Sequence, residues 1–227
     1  MLRYLPILAC LAVCQPGAAR AMPTPQQQFL EATRATPDLE RGAQYFTACA
    51  ACHGDRGGGS RSGEFPRIGG QHFAVLVRQL IAFRNGLRWD YRMEGFASRH
   101  RLADMQAVAD VAAYVSLLAD SSAVGTGTGA WLERGARIYF RSCESCHGSS
   151  GQGDAKHVVP RLAGQHYEYL RRQIYDAVDG RRPGFPAFHV RLLARLDHDG
   201  IAGVADYLSR LGSRHEGPGP VERISPP

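Results

Sequence analysis

The chain has 227 residues, a formal charge of +6, a pI of about 9.2, 44% hydrophobic residues and a mean hydropathy of −0.27. Nearly all the positive charge is arginine, Lys156 is the only lysine, and no basic run occurs, which argues against a nucleic-acid binder. No segment beyond the first residues is apolar enough to span a bilayer, which takes about 20 residues.

Residues 1–21 read as a secretory signal. Arg3 precedes an apolar stretch from Leu5 to Val13, and Ala19-Arg20-Ala21 forms a small-x-small site. The expectation is cleavage after Ala21, export to the periplasm and a mature chain starting at Met22. Cys10 and Cys14 would leave with the signal, and loss of Arg3 and Arg20 takes the charge from +6 to +4. Cys49, Cys52, Cys143 and Cys146 remain. An even cysteine set in an oxidising compartment ordinarily means disulfides, but the spacing here reads otherwise.

The rest of the chain is one unit written twice. Cys49-Ala50-Ala51-Cys52-His53-Gly54 recurs as Cys143-Glu144-Ser145-Cys146-His147-Gly148, 94 residues later. At the same interval Pro66-Arg67-Ile68-Gly69-Gly70-Gln71-His72 recurs as Pro160-Arg161-Leu162-Ala163-Gly164-Gln165-His166, and Gln79 and Gly86 recur as Gln173 and Gly180. The division is 37–120 and 130–212, joined by a Gly/Ser/Thr-rich linker over 121–129 that composition makes flexible. The polar, proline-rich tail 213–227 is expected to be disordered.

Each unit reads as all-α, three helices joined by long loops. The first helix is expected over 37–51 and 130–145, the second over 72–85 and 166–179, the third over 104–119 and 197–211. Leu76, Leu80 and Phe83, then Val108, Val111 and Val115, repeat at helical spacing. No segment shows clear period-two alternation. A unit this small with so few apolar helices is short of core, and a large planar apolar cofactor would supply the missing interior.

Cys-x-x-Cys-His at a helix end places both thiols and the imidazole on one face. Cys49 and Cys52, and again Cys143 and Cys146, can form thioethers with a haem, with His53 and His147 beneath the iron. A zinc centre wants four converging ligands, and these pairs are far apart in sequence. A thioredoxin-like redox pair wants a preceding strand, where this chain has a helix.

The two motifs, the Pro-x-x-x-Gly-Gln-His segments and the terminal Ala112-Ala113-Tyr114 and Ala205-Asp206-Tyr207 helices resemble the dihaem cytochrome c4 family over nearly all the mature chain. The resemblance implies tandem cytochrome c domains related by a pseudo-twofold, two covalently bound haems c, and haem edges facing across the domain interface. It implies that Pro66 and Pro160 orient the ligand histidines through their carbonyls, and that Gly42 and Gly135 let the first helix cross the last closely. His72 and His166 read as structural.

In that family a methionine completes each iron from the loop after the second helix. The second unit contains no methionine, so its haem departs from the pattern. His189, nine residues past Gly180 and eighteen before Tyr207, keeps the family spacing and is the candidate. The alternatives are a five-coordinate iron or another ligand such as His157. In the first unit Met93 is the candidate, although its spacing, seven past Gly86 and twenty-one before Tyr114, is offset. His100 is its rival, while Met105 reads as core and Met22 as terminal.

The leading function is electron transfer between redox protein partners, a donor and an acceptor of which a membrane-bound oxidase or reductase is one candidate, with no nucleic-acid partner, no small-molecule substrate and no catalytic residue expected. The alternatives are a haem enzyme (a peroxidase or sulfur-compound oxidoreductase) with the second haem as active centre, or the cytochrome subunit of a dehydrogenase.

Overall fold

A computed structural model of the protein describes residues 22–119 and 123–212; the expected signal 1–21, residues 120–122 around the start of the expected linker and the expected tail 213–227 lie outside the described residues. The described residues are helical, with one isolated bridge between Asp154 and Val159. The order is α1 (Pro25–Arg34), α2 (Leu39–His53), α3 (Phe73–Arg84), α4 (Tyr91–Ala97), α5 (Met105–Leu117), α6 (Leu132–Ser142), α7 (Glu144–His147), α8 (Tyr167–Val178), α9 (Ala187–Leu193) and α10 (His198–Arg210). No helix is long and apolar enough to cross a membrane among these residues.

Both units are built on a crossing of the first and last helices. In the first, α2 meets α5 at Gly42, where an added Cβ would collide with the Asp110 carbonyl. In the second, α6 meets α10 glycine to glycine, and a Cβ on Gly135 would strike the Gly203 carbonyl. The absent side chain permits backbone contact that no larger residue allows. Around the first crossing pack Phe46, Val77, Ile81, Val108, Val111 and Val115, all buried. Around the second the buried set is smaller, namely Tyr139, Leu170, Val204, Ala205 and Leu208.

Helix capping explains most boundaries. Asp38, Asp104 and Asp197 each accept a backbone N–H in the first turn of α2, α5 and α10, satisfying donors that a helix start leaves free. Gly54 and Gly148, at φ 74° and 79°, end the Cys-x-x-Cys-His turns. Three helices lie beyond the expected set. The helix α1, opened by a Thr24–Gln27 capping box, covers the first unit and buries Gln28 against Asn85. The short helices α4 and α9 occupy what the sequence suggests are loops. The expected helix over 130–145 is split at Cys143, where Cys146 N–H bonds back three residues to the Cys143 carbonyl.

The two units are held together by a nearly symmetric seam. Gln165 accepts from Arg67 N–H and donates to Arg67 C=O at 2.9 and 2.7 Å, and Gln71 does the same with Arg161 at 2.9 and 2.9 Å. The His72 ring bonds the Gln152 carbonyl at 2.8 Å, and the His166 ring bonds the equivalent Gly58 carbonyl at 2.7 Å. His166 is 1% exposed, and its Nδ1 accepts from Gly125 N–H. The described part of the linker is tied down rather than free. Gly127 and Gly129 donate to the Asp206 carboxylate, and Arg210 returns a bond to the Gly127 carbonyl.

Candidate metal centres

In the first unit the last turn of α2 carries Cys49, Cys52 and His53 to the floor of a cavity of about 750 Å³. His53 is 6% exposed, and its Nδ1 lies 2.9 Å from the Pro66 carbonyl. A carbonyl can only accept, so Nδ1 carries the proton and Nε2 keeps its lone pair. Burial pushes His53 below its ordinary pKa, which preserves that neutral form. The second unit repeats the arrangement, with His147 6% exposed, its Nδ1 3.1 Å from the Pro160 carbonyl, and its pKa lowered by burial.

The first thiol of each pair is held protonated. Burial pushes Cys49 and Cys143 up to about 11, and all four cysteines are free of disulfides. That suits neither a nucleophilic cysteine nor a thiolate-held metal. Among the described residues no three His, Cys, Asp or Glu side chains converge, as a zinc centre would require.

Met93 lines the same cavity as Cys49, Cys52 and His53. It rides on α4, whose start is fixed by Asp90 accepting from the Arg92 and Met93 N–H groups while Glu94 reaches back to Asp90 N–H. His100 is exposed and does not line the cavity. Met105 is 3% exposed in the core, and Met22 is 68% exposed at the start of the described chain.

In the second unit α9 brings His189 opposite His147, with ring centroids 6.1 Å apart and planes at 35°. At that separation both imidazoles would be able to hold one metal ion placed between them. Phe185 stacks on His189 at 4.8 Å. Burial, with help from His147 and Arg182, pulls His189 down to about 4, so its ring is neutral at neutral pH. His157, the rival, is exposed and bonded to Asp154 at 2.6 Å.

The first site pairs a thiol–imidazole turn with an apolar cavity suited to a haem, and the second site repeats the turn. The first cavity is walled by apolar side chains including Leu76, Leu80 and Phe83, floored by the thiol–imidazole turn, and reaches Arg88 and Arg182 at the seam. Neither arginine draws notice in the sequence alone. Only the 94-residue register marks them as a pair.

Known proteins share the tandem arrangement. The cytochrome c family profile matches twice, over residues 39–119 and 132–212. Cytochrome c4 of Pseudomonas aeruginosa is 32% identical over 187 residues, covering 78% of this chain and 90% of the relative. A thiosulfate dehydrogenase electron acceptor of Stutzerimonas stutzeri is 32% identical over 180 residues, covering 75% and 82%. Among solved structures, reduced cytochrome c4 from Pseudomonas stutzeri superposes with a TM-score of 0.68 at 28% identity, covering 78% of this chain and all of that one.

Proposed function

Because the chain belongs to the cytochrome c family, as a tandem two-domain member of the dihaem cytochrome c4 group with two covalently bound haems c, we propose that it works in the periplasm as an electron carrier between protein partners. It is a dihaem electron-transfer cytochrome; the location, the ligand set and the partner class are our reading. The observation that carries the ligand set is the repeated Cys-x-x-Cys-His turn, each with its histidine Nδ1 held by a proline carbonyl.

In this reading Cys49 and Cys52 attach the first haem and Cys143 and Cys146 the second. His53 and His147 present Nε2 as proximal ligands, because Pro66 and Pro160 fix the tautomer and ring direction. Met93 completes the first site and His189 the second. Bound there, the haem iron supplies a one-electron couple. The surrounding chain keeps water from the first site with Leu76, Leu80 and Phe83 and holds every ligand neutral. Export rests on the reading of residues 1–21 as a signal.

A second reading is favoured by one observation. Two relatives are named thiosulfate dehydrogenase electron acceptors, which supports an acceptor role beside a sulfur-compound dehydrogenase. Both readings require the same haem load. Mass spectrometry of the exported protein should give the chain from Met22 plus two haems, retained through denaturation and acid extraction. Four titratable thiols in the purified protein would refute the attachment.

A further inference from the structure

The seam contains two arginines that the ligand reading does not use. Arg88 and Arg182 hold equivalent places 94 residues apart, each nine residues after its own unit's glutamine, Gln79 or Gln173. Both line the cavity that starts at Cys49 and His53. Arg88 is well served: it donates to Gln79 Oε1 at 2.7 Å and, across the seam, to the Tyr169 hydroxyl and Gln173 Oε1. Arg182 is not. It makes one contact of 3.4 Å to the same Gln79 Oε1, its Nε is buried without a partner, and its guanidinium lies 4.3 Å over the Phe185 ring.

Neither guanidinium pairs with a carboxylate among the described residues. Asp176, which also lines the cavity, is taken by Arg181 at 2.9 Å and by Gln173 at 3.2 Å. Burial and the neighbouring Arg88 charge push Arg182 down to about 9, although Tyr169 and Asp176 pull the other way. Two like charges converging on one glutamine oxygen, one of them with an orphaned buried donor, are expensive unless an anion completes them. Arginine matches carboxylates because its donors form a fixed planar fork.

We propose that Arg88 and Arg182 form a carboxylate site shared by the two domains, occupied by a propionate of the haem in the first cavity. The inference rests on the dihaem reading and adds to it a place for the cofactor's charge. The site takes one arginine from each domain, so filling it ties the seam to haem loading. The two positive charges also offset the carboxylate and favour the reduced iron.

The test uses the exported protein with its haem load verified by mass. Arg182→Gln should lower the midpoint of the first haem so that its reduced-to-oxidised ratio, at fixed potential, falls about three- to tenfold, with the axial-ligand bands unchanged. Arg182→Lys should recover most of that shift. Arg88→Gln should lower the same wave, and it decides the matter where Arg182→Gln does not accumulate. Unmoved waves with only a lower melting temperature would overturn the proposal in favour of a structural role, as would Arg182→Lys behaving like Arg182→Gln. A saturable response of the wild-type waves to inorganic phosphate at constant ionic strength would assign the site to a solution anion instead. Fewer than two haems by mass would count against the dihaem reading itself, a failure separate from any of these.

Discussion

The two domains share a fold and differ in how far each supports itself. The first gathers twelve buried residues in its core and is covered by α1; the second gathers five. In the first, α2 runs unbroken into Cys49, Cys52 and His53, whereas in the second the helix breaks at Cys143. The join between first and last helices also differs. The Asp110 carboxylate, fully buried, takes Arg41 at 2.6 Å together with Asp38 N–H and Gln106. In the second domain Arg134, the register partner of Arg41, instead takes Asp197 in an exposed clasp at 2.7 and 2.8 Å, and the buried Asp206 carboxylate is taken by Arg210 and the Gly127 and Gly129 N–H groups. A repeat can therefore keep a topology while shifting the source of its stability. The second domain leans on the seam and on its haem for interior that the first partly supplies from its own side chains.

The largest expected effect follows directly from that inequality. Removing the second attachment site with Cys143→Ala and Cys146→Ala should cost the second domain most of its helical circular dichroism, since about 0.8 kcal/mol per buried CH₂ of cofactor contact is lost. The matching Cys49→Ala and Cys52→Ala protein should retain more of the first domain's signal. Equal losses in the two proteins would break the comparison.

A smaller effect is expected at the buried join. Asp110→Asn should destabilise the first domain by about 1–3 kcal/mol, because the fully buried carboxylate gives up the charge that accepts from Arg41, Asp38 N–H and Gln106. Chemical denaturation followed by circular dichroism reads this as a shift of midpoint with little change of slope. A loss below about 0.5 kcal/mol would show that Arg41 and Asp38 are served as well by water.

The smallest effect concerns pH. Arg134 holds the Asp197 carboxyl below its usual range, with the Gly200 N–H adding to the shift. A depressed carboxylate contributes stability above its unfolded pKa and loses it as pH falls through the folded value. Acidification from about pH 5 should therefore weaken the second domain slightly in wild type and not in Asp197→Asn. Because the pair is exposed, salt should screen the difference. A pH response identical in the two proteins would contradict the clasp.

What the sequence revealed, and what it hid, follows from the range of each signal. Helical periodicity and Asp caps are local, so the elements matching α2, α3, α5, α8 and α10 were legible within a few residues. The thiol–imidazole turn is legible because its chemistry fits in five consecutive residues. The helix α1 hides because its face pairs with Asn85, far along the chain. The short helices α4 and α9 hide because they sit in segments rich in Gly, Pro and charge, where tertiary contacts outweigh propensity. The spacing that marks His189 says nothing of distance, whereas the fold sets its ring 6.1 Å from His147. The arginine pair was invisible because its meaning lies in a missing partner, which only packing reveals.

The central claim is that one fold, written twice, carries unlike ligand sets. Thioether ligation raises a haem's potential relative to bis-imidazole ligation, so the Met93 haem should titrate above the His189 haem. A split of 59 mV is about a tenfold bias for one electron. A spectroelectrochemical redox titration of the dihaem protein, repeated on His189→Met, tests this directly. The account predicts two separate one-electron waves in wild type, with the lower one rising toward the upper in the variant. Coincident waves in wild type, or a lower wave indifferent to His189→Met, would contradict it.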